Sequence, residues 1–377
     1  MKRAAILFQQ IESEILVGTF GRSGDRFITV RELAKQFSCS LHCALDVIAM
    51  LLDSRIIRKH GKHCYITMGY CPPDSAYGKI LFDNHRTLFG VLIRDNSNPF
   101  FGSLINHLRD VLYRNGMNMI VSSSGNDPDK EKQILDMFVD LKCRGVFSCI
   151  TLLGQQQNLF SRYPLPIVTL AEDSGISSID TILVDNHAAG MQVAKHMLEC
   201  GSKSYAYITL DDYVESDLRL QGFRSYLERK QIPLPEANIG IVSATDEALR
   251  ARQVRQFIHS LLDQANETSE HLPIGIFCVH DLLAADVMRI VKHYRGKRTR
   301  QLMIPEDVMI VGFDDLPISS QLSIPMTTIS YQYSAISRKA FNVMMDRLQN
   351  PWHIPNRYEV QSLLVIREST RKRNCPV

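Results

Sequence analysis

The sequence has no run of 18 apolar residues, so it contains no predicted transmembrane helix. Its amino terminus, MKRAAILFQQIESEIL, starts basic, but Gln9, Gln10, Glu12 and Glu14 interrupt the apolar core that a signal peptide needs. The nine cysteines are odd in number and scattered, and no two of them form a C-x-x-C pair. Because a chain of 377 residues does not depend on disulfides for stability, we expect reduced thiols and a cytoplasmic protein.

The sequence also lacks the short motifs of common enzymes and metal sites. It has no G-x-S-x-G nucleophile elbow and no G-x-x-x-x-G-K-[ST] phosphate loop, which argues against a hydrolase, a sugar-metabolising enzyme or a phosphoryl-transfer enzyme. Cys39, His42, Cys43, His63 and Cys64 carry side chains that bind zinc elsewhere, but their spacing fits no zinc motif. We therefore expect no catalytic residues, no metal site and no cofactor.

Charge is almost balanced overall but is unevenly distributed. The chain has 43 basic and 40 acidic residues, of which residues 1–72 hold 10 basic and 6 acidic ones. At about 150 residues per domain, the length predicts two or three domains. A basic excess in a small N-terminal unit favours an anionic partner there.

Residues 1–68 have the pattern of a winged helix-turn-helix. Apolar residues four apart predict a first helix over residues 4–17, and Thr29 with Glu32 forms a capping-box pattern before a second helix. Ser40 can cap a third helix that runs to about Asp53. Residues 55–59 and 62–67 are two short strands of a basic hairpin. Residues 69–86 contain prolines and glycines without a sustained period and are the expected linker.

Beyond the linker, short apolar runs alternate with amphipathic stretches. Nine runs are predicted strands: residues 87–93, 117–122, 145–150, 166–170, 181–184, 204–209, 239–242, 274–279 and 308–313. Strands that alternate with helices indicate parallel βαβ units, so the predicted fold class is α/β, with an N-terminal winged helix-turn-helix and two lobes of doubly wound parallel sheet. Within this 87–377 effector domain, we expect lobe 1 at about 87–184 and 329–350 and lobe 2 at about 185–328 and 351–370.

Residues 17–67 resemble the GntR-type DNA-binding domain. Gly24-Asp25 and the run from Thr29 to Ala34 match its signature. The resemblance implies that Arg31 contacts the phosphate backbone and that the first residues of the third helix, beginning at Ser40, read the major groove. His42 in this turn could contact a base or a phosphate, or it could be an exposed spacer. The remaining expected DNA contacts are the basic residues of the hairpin, Arg58, Lys59 and Lys62.

Seven segments after the linker resemble a LacI/GalR-type effector domain, which has the fold of periplasmic sugar-binding proteins. They are SNPFF at 97–101, DN at 185–186, RLQGF at 219–223, VHD at 279–281, IPEDV at 304–308, VGFDD at 311–315 and LVIRES at 364–369. Together with the N-terminal domain they resemble the AraR type of sugar-responsive repressor. The resemblance implies a small effector, expected to be a sugar, bound between the lobes. The expected effector contacts are Phe100, Phe101, Arg219, His280, Asp281 and Asp314.

These features predict an effector-responsive transcription regulator, a sugar-sensing repressor that binds a near-palindromic operator as a homodimer. Two alternatives remain open. Residues 40–53 contain no Lys or Arg, so the chain could sense a small molecule without reading a DNA sequence. A solute-binding protein of a transport system would have the same two lobes, but it would need a signal peptide and no basic N-terminal domain.

Overall fold

The chain divides into two compact units, Met1–Leu183 with Ser334–Glu359 and Val184–Tyr333 with Val360–Val377. The computed structural model describes residues 2–16, 18–54, 56–67, 76, 88–95, 98–125, 127–149, 163–171, 179–212, 217–268, 271–295, 301–350 and 354–371. The expected linker, residues 69–86, lies outside these ranges apart from Ala76. The helices are α1 (Lys2–Leu16), α2 (Val30–Gln36), α3 (Leu41–Asp53), α4 (Pro99–Arg114), α5 (Pro128–Asp140), α6 (Asn186–Glu199), α7 (Leu218–Arg229), α8 (Glu247–Thr268), α9 (Asp281–His293), α10 (Pro317–Gln321) and α11 (Tyr333–Gln349). The strands are β1 (Ile57–His60), β2 (His63–Ile66), β3 (Leu88–Ile93), β4 (Asn118–Ser123), β5 (Val146–Cys149), β6 (Ile167–Leu170), β7 (Asp180–Val184), β8 (Ser204–Leu210), β9 (Ile239–Val242), β10 (Ile274–Cys278), β11 (Val308–Asp314), β12 (Thr327–Ser330), β13 (Arg357–Val360) and β14 (Leu363–Val365).

The N-terminal domain is formed by α1, α2, α3 and the antiparallel hairpin of β1 and β2. The predicted capping box is present, because the Thr29 hydroxyl accepts a hydrogen bond from the Glu32 amide at 3.3 Å and the Glu32 carboxylate accepts one from the Thr29 amide at 2.7 Å. The chain bends by 114° between α2 and α3. No helix in the described ranges is by itself long and apolar enough to span a membrane, and only α2 and α3 meet that requirement as a bent pair.

The first unit contains a six-stranded sheet in the order β13-β7-β6-β5-β3-β4. The pairs from β7 to β4 are parallel. Strands β3, β5, β6 and β7 are apolar and buried, as is typical of a sheet covered on both faces, whereas β4 at the edge is partly exposed. A buried ion pair holds the returning segment against this sheet: Arg347 Nη1 lies 2.6 Å from Asp180 Oδ2. The second oxygen of Asp180 accepts a hydrogen bond from the Asn356 amide at 3.0 Å.

The second unit contains a six-stranded sheet in the order β14-β12-β11-β10-β8-β9. Its strands are parallel except β14, which pairs antiparallel with β12 at the edge. Helices α6 and α7 approach closely because each has a glycine at the contact. A Cβ at Gly190 would clash with the Arg219 carbonyl, and one at Gly222 would clash with the His187 carbonyl. These two glycines therefore fix the position of the helix that carries Arg219.

All nine predicted strands are present, so the α/β fold with two parallel sheets is confirmed. Three strands were not predicted, namely β12, β13 and β14. We expected the chain to return to the first lobe at residue 329, but this residue belongs to β12 of the second sheet. The first sheet includes β13, although β13 lies in the segment expected to belong to lobe 2. The crossings between units thus come later in the chain than expected, at residues 333–334 and 359–360.

Candidate effector site and candidate DNA-binding surface

The carboxyl edge of the second sheet brings together most of the polar residues expected to bind an effector. Strand β11 ends at Asp314, β10 leads through Val279 and His280 into α9, and Arg219 lies in the first turn of α7 after β8. The carboxyl ends of parallel strands meet at one edge of a sheet, which is where open α/β sheets bind ligands.

Asp217 fixes the start of α7. It is 4% exposed, and its Oδ1 accepts hydrogen bonds from the amides of Arg219 and Leu220 at 3.1 Å each. Its Oδ2 accepts hydrogen bonds from Tyr207 at 2.8 Å and Thr209 at 2.7 Å, both on β8. The four hydrogen bonds satisfy the buried carboxylate and join the start of α7 to β8. Asp217 therefore holds the helix, and with it Arg219, against the sheet.

Arg219 is held by hydrogen bonds from its guanidinium nitrogens and by packing of the guanidinium plane on an aromatic ring. Its Nε donates to the side-chain oxygen of Asn186 at 2.9 Å, and its Nη1 donates to the carbonyl oxygen of Val279. The guanidinium carbon lies 3.5 Å from the centre of the Phe313 ring, a cation–π arrangement. Burial opposes its charge, but Asp314 and neighbouring groups raise the pKa of Arg219 above its ordinary value. Arg219 is therefore a fixed cation at this edge of the sheet.

Asp314 is the last residue of β11 and is 7% exposed. No described residue donates a hydrogen bond to its carboxylate. Burial raises the pKa of Asp314 to about 7, although the charge of Arg219 acts in the opposite direction. The backbone is in the left-handed region at both Asp314 (φ +104°) and Asp315 (φ +54°), a conformation that costs on the order of 1–3 kcal/mol per residue. An ion pair at 2.6 Å between Asp315 and Arg367 holds this strained turn.

His280 and Asp281 lie at the start of α9, where the resemblance placed two effector contacts. His280 Nδ1 accepts a hydrogen bond from the Leu283 amide at 3.1 Å and so caps the helix. Burial, reinforced by the charges of Arg219 and Arg250, lowers the pKa of His280 to about 4. At neutral pH the ring is therefore uncharged, with its proton on Nε2 as a donor.

Asp281 has a different setting from the one expected. It is fully buried, its Oδ2 accepts from the Leu316 amide at 2.7 Å, and its Oδ1 accepts from the Thr328 hydroxyl at 2.6 Å. Burial raises the pKa of Asp281 well above its usual range, and the charge of Asp314 adds to this effect. A Cβ at Gly312 would clash with Oδ1, so the glycine makes room for this carboxylate. Both oxygens are engaged within the protein, so Asp281 supports the strand ends instead of presenting a free carboxylate.

Phe100 and Phe101 lie in the first unit, in the first turn of α4. The side-chain oxygen of Asn98 caps this helix by accepting a hydrogen bond from the Phe100 amide at 3.0 Å. The two rings are 9% and 6% exposed, and their centroids lie 5.3 Å apart in an edge-to-face arrangement. They follow the carboxyl end of β3, as expected, but most of each ring packs inside the unit.

Sequence reasoning missed several residues that build the site. Asn186 and Asp217 position Arg219, and Phe313 supplies the surface on which it stacks. Tyr331 packs edge-to-face on Phe313 at 6.3 Å and also contacts Tyr333, with centroids 5.7 Å apart. The available signal was their position directly after a strand or at its end, where polar and aromatic residues gather in parallel sheets.

In the N-terminal domain, three of the expected phosphate contacts are exposed. Arg31 is the second residue of α2, and Lys59 and Lys62 lie on either side of the hairpin turn at Gly61. Gly61 has φ +61°, which suits a tight turn. These cations are therefore available to an anionic partner.

The residues expected to begin base reading lie at the amino end of α3. The Ser40 hydroxyl accepts a hydrogen bond from the Cys43 amide at 3.2 Å, so it caps the helix. His42 is exposed on the first turn. Arg58 is placed differently, because it is half-buried and pairs with Asp136 at 3.5 Å and Asp140 at 3.9 Å on α5.

Comparison with known proteins supports this architecture. Residues 194–370 match the family model of a periplasmic binding protein-like domain. The chain is 24% identical over 355 residues to the HTH-type transcriptional repressor PurR of Haemophilus influenzae (strain PittEE), covering 91% of this chain and 98% of that protein. It is 23% identical over 310 residues to PurR of Vibrio parahaemolyticus, covering 81% of this chain and 87% of that protein.

Solved structures give the same result for the fold. A periplasmic binding protein/LacI transcriptional regulator from Alkaliphilus metalliredigens, complexed with D-xylulofuranose, superposes with a TM-score of 0.61 at 22% identity over 76% of this chain and all of that one. A LacI family regulator from Arthrobacter sp. FB24, in complex with lactose, has a TM-score of 0.61 at 20% identity, again over 76% of this chain and all of that one. Residues 194–370 are therefore similar to a periplasmic binding protein-like domain, and the chain shares the fold of these solved structures.

Proposed function

We propose that this protein is an effector-responsive transcription repressor that binds operator DNA through its N-terminal domain and a small molecule at the carboxyl edge of its second sheet. The observation that carries the proposal is the fixed Arg219 cation beside the buried Asp314 carboxylate, to which no residue in the described ranges donates a hydrogen bond, in a domain like those of LacI-type regulators. The relatives are transcription repressors, which supports a regulatory role over an enzymatic one.

For the N-terminal domain we propose a winged helix-turn-helix of GntR type. Its element order of three helices followed by an antiparallel hairpin, and the 114° bend between α2 and α3, support the assignment. In this proposal Arg31, Lys59 and Lys62 contact phosphates, and the first turn of α3, with Ser40 and His42, enters the major groove. A homodimer would present two such domains to a two-fold operator in the cytoplasm.

For the effector we propose a small polyhydroxylated molecule, with a sugar as the first candidate. A carboxylate accepts hydrogen bonds from two neighbouring hydroxyls, and Asp314 has no other described donor to satisfy it. Arg219 donates from Nε and Nη1 to protein oxygens, which leaves Nη2 to donate to a ligand oxygen. His280 supplies a neutral N–H. The regulators in two of the similar structures carry a sugar, D-xylulofuranose or lactose, which supports this class.

Phe100 and Phe101 remain proposed effector contacts through the small exposed parts of their rings. Asp281 enters the proposal as a positioning residue, because its two hydrogen bonds hold the turn that follows Asp314. These assignments predict that the polar contacts come chiefly from Arg219, His280 and Asp314.

A thermal-shift screen of sugars and nucleobases tests the effector class, since a ligand at 100 times its Kd adds about 2.7 kcal/mol to the stability of the native state. The hit is then titrated by calorimetry into wild type, Asp314→Ala and Glu199→Ala. Glu199 is an exposed carboxylate at the end of α6 and serves as the matched control. Loss of a hydrogen bond to a charged group costs about 1.5–3 kcal/mol, so we expect at least a tenfold weaker Kd for Asp314→Ala alone. Wild-type affinity in that variant would contradict the site, and stabilisation by nucleobases alone would contradict the sugar.

A further inference from the structure

The outward surface of α3 is apolar where a DNA-reading helix commonly carries arginine. Leu41 and Leu45 are 55% and 53% exposed, and Ala49, one further turn along, is also exposed. The three residues are four apart, so they form a single stripe, which we call the α3 stripe. The opposite side of the helix, with Ala44, Val47, Ile48 and Leu51, packs into the core of the N-terminal domain.

The stripe has no function in the domain's own packing. The buried core of this domain and the apolar residues packed against it include neither Leu41 nor Leu45. Two leucines exposed by more than half at adjacent turns expose apolar surface that a monomer normally avoids. Their position therefore calls for a partner.

The charge around the stripe favours nucleic acid as that partner. His42 lies in the same turn as Leu41, Arg31 is exposed on α2, and the hairpin exposes Lys59 and Lys62. The first turn of α3 carries no acidic residue; Asp46, in the second turn, is only partly exposed, and Asp53 lies at the far end of the helix. A protein partner with an apolar patch would not need this basic surround, whereas a phosphate backbone does.

We propose that Leu41 and Leu45 read thymine by packing against its 5-methyl group in the major groove. The thymine methyl is the one apolar group that the base pairs present in that groove, and apolar side chains are the ones that contact it. The amino-terminal residues of the second helix of a helix-turn-helix are those that reach base edges, which is where the stripe begins. The inference rests on the proposed DNA-binding function and specifies its base preference: an operator with A·T pairs opposite α3, read without arginine.

The experiment starts from a random-sequence duplex library, from which the full-length protein selects its binding sites. In a selected duplex, each thymine is replaced singly by deoxyuridine, which removes only the methyl group. Burial of one methyl corresponds to about 0.8 kcal/mol, so we expect wild type to bind about fourfold more weakly at one or more positions in each half-site.

Leu41→Ala and Leu45→Ala are measured on the same duplexes, with Ile6→Ala as the matched control, because Ile6 is an apolar side chain on α1 that is 65% exposed. We expect each leucine variant to bind the thymine duplex more weakly and to lose the penalty at its own uracil position, while Ile6→Ala keeps the full penalty. Equal uracil penalties in wild type and the leucine variants, or no penalty at all, would overturn the inference while leaving DNA binding intact. Selection of no duplex would overturn the proposed function together with it, and circular dichroism identifies any variant that fails to fold.

Discussion

The raised pKa of Asp314 predicts that its ionised carboxylate destabilises the native state of the effector-free protein, although the same carboxylate is proposed to bind the effector. Its carboxylate is 7% exposed, and burial raises its pKa from 3.8 to about 7. Between these two pH values the native state binds a proton that the unfolded chain has released. The free energy of unfolding therefore falls as the pH rises from about 4 to 7 and stays low above 7.

The size of the effect follows from the same pKa values. At 1.36 kcal/mol per pH unit, a rise from 3.8 to about 7 corresponds to about 4 kcal/mol of lost stability above pH 7. Asp314→Asn keeps the shape of the side chain and removes the ionisation. We expect the variant to be more stable than wild type above pH 7, by up to about 4 kcal/mol, and the difference to vanish toward pH 4. The same variant should bind the effector at least tenfold more weakly, because an amide cannot replace a carboxylate as a double acceptor.

Differential scanning calorimetry of the full chain between pH 4 and 8 measures the effect. Glu228→Gln is the matched control, because it neutralises an exposed carboxylate in the last turn of α7 and should leave the pH profile unchanged. Parallel profiles for wild type and Asp314→Asn would refute the reasoning, since they would mean that Asp314 ionises as readily in the native state as in the unfolded chain.

Two further predictions concern packing and the N-terminal domain. Gly312→Ala places a methyl group against the buried carboxylate that opens α9 and should destabilise the protein by about 1–3 kcal/mol in calorimetry, whereas Gly102→Ala, with open space around it, should not; equal effects would contradict the predicted clash. Asp136→Asn removes a partner of Arg58 and should strengthen binding to a non-specific duplex by up to about fivefold at low salt, as measured by fluorescence anisotropy. Asp129→Asn makes the same charge change at an exposed position on α5, and an equal gain there would mean that net charge, and not release of Arg58, is responsible.

The strands that sequence predicted correctly share one physical property. Strands such as β5, β10 and β11 are buried on both faces and therefore appear in the sequence as short apolar runs. Strand β12 has the sequence TTIS and was missed, because Thr327 and Thr328 are buried through hydrogen bonds that no single-sequence pattern reveals. Strand β13 alternates exposed and half-buried residues at the edge of the first sheet, where the apolar signal is weak.

The residue types that form the candidate site were predictable from the sequence, but the role of each residue was not. The motif segments predicted that Arg219 and Asp314 lie at the same sheet edge. The sequence does not show that both carboxylate oxygens of Asp281 accept hydrogen bonds from Leu316 and Thr328. That assignment depends on residues that lie 35 and 47 positions further along the chain, one just before α10 and the other on β12. Side-chain partners at such separations are set by the tertiary fold, whereas a position at a strand end is set by local sequence.

If the small-molecule site and the DNA-binding surface belong to one regulator, the affinities for effector and DNA must be coupled. The affinity of the full-length protein for a selected duplex is measured with and without a saturating concentration of the effector found in the thermal-shift screen. The effector affinity is then measured with and without the duplex. We expect the duplex affinity to change by about 5- to 150-fold, that is, by about 1–3 kcal/mol, and the effector affinity to change by the same factor in the same direction. Unchanged affinities in both comparisons would contradict this coupling.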